Sequence, residues 1–190
     1  EATDTWNYQE GMHVRVVCYT NSPQARLLLN GEEVGEPTAK DPKNGIIHWD
    51  ITYQPGTLKA IGMTSDGRDE ASYEICTNLR PKSLRVRFDN PSGDKAERGV
   101  NHLLVEVLDD NGNVVRMADN NVTCRIIGPA RLLGLEGSDN TDMGNYRDNQ
   151  QRVHNGRLLA YVRNGSKPGM VTVHFSSPLL ESCELSWEVK

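Results

Sequence analysis

The chain has 190 residues, with 21 basic against 26 acidic side chains and a formal net charge of −5. No basic stripe stands out, so the chain repels a phosphate backbone and nucleic acid is not an expected partner. No apolar run approaches the roughly 18 residues of a membrane-spanning helix, so membrane insertion is not expected.

From the N-terminus onward, turn signals and short alternating runs dominate. Asn-Gly pairs stand at Asn30-Gly31, Asn44-Gly45, Asn111-Gly112, Asn155-Gly156 and Asn164-Gly165, with Asp-Gly at Asp66-Gly67. Such pairs accept positive φ at low cost and suit the tight turns of antiparallel hairpins. Met12, Val14, Val16 and Cys18 alternate with His13, Arg15, Val17 and Tyr19. Ile47, Trp49, Ile51 and Tyr53 alternate with His48, Asp50 and Thr52. Period two means a strand with one buried face. The first set of strands is predicted near 12–20, 25–30, 33–36, 45–53, 57–64 and 68–76. A linker reads at Thr77–Pro81, since Pro81 lacks a backbone donor.

The second set is predicted near 82–88, 101–109, 113–116, 121–127, 130–135, 156–163, 169–176 and 182–189. Leu84, Val86 and Phe88 alternate with Arg85 and Arg87; Leu103, Val105 and Val107 alternate with Leu104 and Glu106. No segment carries a capped 3.6-residue apolar stripe. The expected fold is therefore all-β, two tandem immunoglobulin-like β-sandwich domains, at residues 1–79 and 80–190. Residues 136–155 break the pattern as a long loop with almost no apolar side chain, and long loops often carry function.

Four cysteines, Cys18, Cys76, Cys124 and Cys183, sit in apolar runs with no C-x-x-C spacing. Four buried thiols are the reading taken, with a Cys124–Cys183 or Cys18–Cys76 bridge left open. The acidic pairs Glu32-Glu33, Asp69-Glu70 and Asp109-Asp110 abut glycine turns and read as solvated hairpin acids. The polar loop offers Glu136, Asp139, Asn140, Asp142, Asn145 and Asp148 as hard oxygen donors. Asp139, Asp142 and Asp148 are the calcium candidates, although the spacing departs from an EF-hand and Asx turns use the same residues. No other metal or cofactor is expected. Trp49, Tyr53 and Trp187 lie on apolar strand faces and read as core. Trp6, Tyr8 and Tyr146 are freer and are the candidates for stacking on a sugar ring.

Two longer phrases resemble segments that follow the catalytic barrel in family 2 glycoside hydrolases. They are Asn21-Ser22-Pro23-Gln24-Ala25-Arg26-Leu27-Leu28-Leu29-Asn30-Gly31-Glu32-Glu33-Val34-Gly35 and His48-Trp49-Asp50-Ile51-Thr52-Tyr53-Gln54-Pro55-Gly56-Thr57-Leu58. In the second half, Gly128-Pro129-Ala130-Arg131-Leu132-Leu133-Gly134 and Asp148-Asn149-Gln150-Gln151-Arg152-Val153-His154-Asn155-Gly156-Arg157 resemble the next module of the same proteins. The resemblance covers nearly the whole chain. It implies a β-galactosidase-like parent of the Bacteroidetes type, exported to the periplasm or cell surface.

Family members use two barrel glutamates, and the acid/base one follows an asparagine. This chain has no Asn-Glu dipeptide and no strand–helix alternation for a barrel, so no catalytic residue is carried over. The start at Glu1 and the strand-like run up to Lys190 read as a piece of a longer polypeptide. The expected role is a non-catalytic accessory region whose partner is the catalytic barrel of the same polypeptide. A pair of carbohydrate-binding modules and a surface adhesion stalk are the competing readings. The stalk is weakened by the lack of any evident repeat between the halves. Oligomeric state is not legible in the sequence.

Overall fold

A computed structural model describes residues 5–90 and 93–190, which contain strands and turns and no helix. The chain divides into two compact units, Glu1–Asn78 and Leu79–Lys190.

The first unit contains β1 (His13–Cys18), β2 (Gln24–Leu29), β3 (Glu32–Glu33), β4 (Thr38–Ala39), β5 (Ile47–Thr52), β6 (Thr57–Met63) and β7 (Asp69–Cys76). β1 pairs with β5, and a second sheet runs β3-β2-β6-β7 with β4 also on β2. Every pairing in it is antiparallel. The alternation has the expected sense: Ile47, Trp49 and Ile51 are buried while His48, Asp50 and Thr52 face water. Val14, Ala25, Leu27, Trp49, Tyr53 and Leu58 share one core. Asn30-Gly31 makes its hairpin with both residues at positive φ, 55° and 87°, the backbone such a pair permits.

Trp6 departs from expectation. Far from being free, it is 1 % exposed and belongs to this core. Its ring meets Tyr53 edge-on at 5.1 Å, and its indole Nε1 donates to the Gln54 carbonyl at 3.0 Å. The segment around it is tied to the end of the unit. Thr77 Oγ1 donates to the Trp6 carbonyl at 2.7 Å, Asn7 Nδ2 donates to the Asn78 carbonyl at 2.9 Å, and Asn78 N donates to Asn7 Oδ1 at 3.0 Å. Burying an indole against a sheet outweighs leaving it in solvent once its N–H has a partner.

The second unit contains β8 (Ser83–Phe88), β9 (Val100–Leu108), β10 (Asn121–Ile127), β11 (Ala130–Glu136), β12 (Gln150–Arg152), β13 (Arg157–Asn164), β14 (Gly169–Ser176) and β15 (Cys183–Val189). Two four-stranded antiparallel sheets, β12-β10-β14-β15 and β11-β13-β9-β8, enclose a core of Leu103, Val105, Val122, Val173, Phe175 and Trp187 among others. The run predicted as a strand at 113–116 makes only an isolated bridge, Leu108↔Val114. Asp109, read as a solvated turn acid, is buried instead. Its Oδ1 accepts from the Asn111 and Asn113 amides and its Oδ2 from the Leu79 amide, so its lone pairs are met without water.

Asn164 is a second buried polar centre and not a turn residue of the Asn-Gly kind. It is 3 % exposed. Its Nδ2 donates to the Asp94 and Ala96 carbonyls, and its Oδ1 accepts from Trp187 Nε1 at 3.0 Å. The cysteines are free thiols, but of the four read as buried only Cys124 is; Cys18, Cys76 and Cys183 are partly exposed. Cys124 and Cys183 both sit opposite Phe175, one on either side of β14, which puts them roughly 10 Å apart at strand spacing and beyond bridging distance.

Candidate functional site

The long polar segment is partly ordered into the sheet. Gln150–Arg152 form β12 against β10, and Val153 is buried, so the true excursion runs from 137 to 149. Three polar residues in a row carry no period-two signal, which is why the strand was not legible.

This loop is seated on β11. Register slips between Leu132 and Gly134, leaving Leu133 as an extra residue in a bulge. At the far side of the bulge the Leu135 amide donates to the Tyr146 carbonyl at 2.7 Å. Gly134 makes that approach possible, because a Cβ there would stand 2.9 Å from the same carbonyl oxygen. Gly137 does the same at the loop entrance, where a Cβ would stand 2.6 Å from the Arg152 carbonyl. Asx turns shape the rest. Asp139 Oδ1 accepts from the Thr141 amide and hydroxyl, and Asp142 Oδ1 accepts from the Gly144 amide. Gln151 Nε2 donates to Asp142 Oδ2 at 2.7 Å, and Asn145 Nδ2 donates to Asp148 Oδ1 at 2.7 Å.

The three calcium candidates, Asp139, Asp142 and Asp148, are thus engaged separately. Among the described residues no three His, Cys, Asp or Glu side chains are grouped to hold a metal ion. The hydrogen bonds from Thr141 also hold the Asp139 carboxyl below its usual range.

Between loop and sheet lies a groove of about 520 Å³, in the range of small-ligand sites. Leu133, Gly134, Glu136, Asp142, Tyr146 and Tyr161 are among its walls. Tyr146, a sequence candidate for stacking, is 58 % exposed on this groove. The Arg147 guanidinium lies 5.9 Å from its ring centroid. Tyr161, on β13, donates its hydroxyl to Glu136 Oε2 at 2.8 Å and meets the His102 ring edge-on at 4.9 Å. Burial, followed by the Glu136 hydrogen bond and charge, raises the Tyr161 pKa and keeps the phenol protonated as a donor. Tyr161 was not singled out in the sequence. Its only signal was an aromatic on the outward side of an alternating strand. Of the other candidates, Trp6 is buried, and Tyr8 packs edge-on to Trp6 and Tyr53 at 5.7 and 5.8 Å while staying 38 % exposed. Both lie in the first unit, whereas Tyr146 lies in the second.

An all-β unit with a loop-lined groove, outside any barrel, is the frame in which the sequence matches fall. Residues 84–186 match the model for glycoside hydrolase family 2 C-terminal domain 5, which is more than half of the chain, and the chain belongs to that family. Residues 11–71 match a domain of unknown function, DUF4982. A β-galactosidase of Bacteroides ovatus is 29 % identical over 181 residues, covering 95 % of this chain and 21 % of that protein. A β-galactosidase of Thermoanaerobacter pseudethanolicus is 20 % identical over 90 % of this chain and 23 % of its own length. The chain therefore spans about a fifth of the curated relatives it matches. In fold it is similar to a β-glycosidase from Bacteroides vulgatus, with a TM-score of 0.86 and 24 % identity over 97 % of this chain and 24 % of the other.

Proposed function

We propose that this chain is a non-catalytic accessory region of a β-galactosidase-like glycoside hydrolase, supporting a catalytic barrel elsewhere in the same polypeptide during carbohydrate degradation. The observation that carries this reading is the alignment of 95 % of the chain with one fifth of a β-galactosidase. The carboxylates of the groove add to it. Glu136 accepts the Tyr161 hydroxyl, and Asp139 and Asp142 close Asx turns. A retaining glycosidase instead needs two carboxyls facing each other across the scissile bond, roughly 5–5.5 Å apart. Export to the periplasm or cell surface belongs to the same proposal. It is compatible with a buried Cys124 and a partly buried Cys183 whose thiols desolvation pushes up to about 12, which slows their oxidation.

The test compares the full-length polypeptide with a version lacking these residues. The accessory reading expects the deletion to lower melting temperature and β-galactosidase activity, and the isolated chain to leave nitrophenyl β-galactoside intact. Unchanged stability and activity after deletion would overturn the supporting role. Turnover that follows the isolated chain through purification would overturn the non-catalytic one. Glycan binding by the chain itself is the second reading, favoured by the groove beside Tyr146.

A further inference from the structure

We propose that the groove between the 137–149 loop and β11 is a binding subsite for one uncharged sugar residue, with Tyr146 as its stacking platform. The choice of ligand class rests on the accessory reading above; the site itself rests on the geometry. Tyr146 combines an exposed ring with a fixed backbone: its carbonyl is held by the Leu135 amide, and Gly134 beneath it admits no side chain. An aromatic side chain on a backbone already held in place has only its two χ angles left to order when a ligand covers it. The C–H face of a pyranose suits such a ring, and the hydroxyl edge needs acceptors and donors close by.

The groove supplies them on its other side. Glu136 Oε2 is engaged by Tyr161, which leaves its other oxygen as an acceptor. Asn140 and Gln151 also line the cavity with amide groups. Leu133 and the glycines give the remaining wall its apolar character. This mix of apolar surface with a few convergent polar groups is that of a small-ligand site.

Charge selects within the sugars. Glu136, Asp139 and Asp142 line the groove, while no Lys or Arg is among its lining residues. The Arg147 guanidinium lies 5.9 Å from the Tyr146 ring centroid, but the three carboxylates of the groove outnumber it, so a uronate meets net like charge and the subsite favours a neutral hexose over its acid.

The experiment titrates the 190-residue chain with methyl β-D-galactoside and, in parallel, with glucuronate. Saturation-transfer NMR and amide shifts in the 137–149 loop report binding. The expected result is weak saturable binding of the galactoside, with shifts confined to the loop, β11 and Tyr161, and none for glucuronate. Tyr146→Ala should weaken binding roughly tenfold, Tyr146→Phe should retain it, and Tyr19→Ala, in the first unit, should leave it unchanged. Three results would overturn the proposal: no galactoside binding by the folded chain, undiminished binding by a folded Tyr146→Ala variant, or glucuronate binding equally well. A failed titration leaves the accessory role standing, since that role is read from the deletion.

Discussion

Glu106 offers the sharpest test of how the second unit is held together. It lies on the outward face of β9 yet is only 1 % exposed, because arginines from both neighbouring strands close over it. Arg85 donates twice to Oε2, from Nε at 3.1 Å and Nη2 at 2.8 Å, and Arg157 Nε donates to Oε1 at 3.1 Å. Burial is the largest influence on this carboxyl and opposes its ionisation. The Arg85 hydrogen bond and the charges of Arg85, Arg157 and Arg87 together outweigh it, so the pKa falls below the usual 4.5. Glu106→Gln keeps the shape and removes the charge. Its single carbonyl oxygen can serve Arg85, but its NH₂ then faces the Arg157 donor.

Losing one charge-assisted hydrogen bond costs about 1.5–3 kcal/mol. Both arginines reach water and relax, so about 2 kcal/mol is the expected loss. In a unit of about 110 residues that is a fall of about 8 °C in melting temperature. The pH dependence fixes the cause. A depressed folded pKa stabilises fully above the unfolded value and is lost as pH falls through the folded one. The gap between wild type and Glu106→Gln should therefore be full at pH 7 and close as pH drops well below 4.5. Scanning calorimetry at pH 7 and pH 3 measures both. A variant as stable as wild type at pH 7, or a gap that persists unchanged at pH 3, would refute the argument.

Other outcomes follow from single contacts. Trp6→Ala removes a buried indole and should cost about 4 kcal/mol, lowering the melting of the Glu1–Asn78 unit; unchanged melting would contradict its place in the core. Gly134→Val drives a side chain toward the Tyr146 carbonyl, so tryptic cleavage after Arg147 and amide exchange at Leu135 should both accelerate. Cleavage at the wild-type rate would mean the loop is not held there. Ellman's reagent at pH 8 should leave Cys124 and Cys183 unmodified in the folded chain and titrate four thiols in urea.

Much of the architecture was legible because it is local. The sense of β5, with Trp49 inside and His48 outside, is a period-two pattern that one strand displays by itself. Asn30-Gly31 announces its hairpin through its own dihedral preferences. The loop was visible as a gap in apolar residues, and Tyr146 within it as an aromatic with nothing to pack on. Less was legible of what surrounds them. β12 has no pattern of its own and exists because β10 offers an open edge at Asn121–Thr123. The groove depends on a bulge at Leu133 and on two glycines whose missing side chains matter only where another segment crosses them.

What the sequence determined alone, then, was which side of each strand is apolar and where the chain turns, since those follow from neighbours two to four residues away. Which polar groups become buried was decided only by the tertiary structure. Glu106 is sheltered by arginines from strands 21 and 51 residues distant, Asn164 by the Asp94 and Ala96 carbonyls, and Trp6 by a partner ring 47 residues on. A polar or amphipathic group leaves water when its hydrogen bonds are met on the other side. Those partners come from distant strands, so their arrival is written in the pairing of the sheets and not in the local pattern.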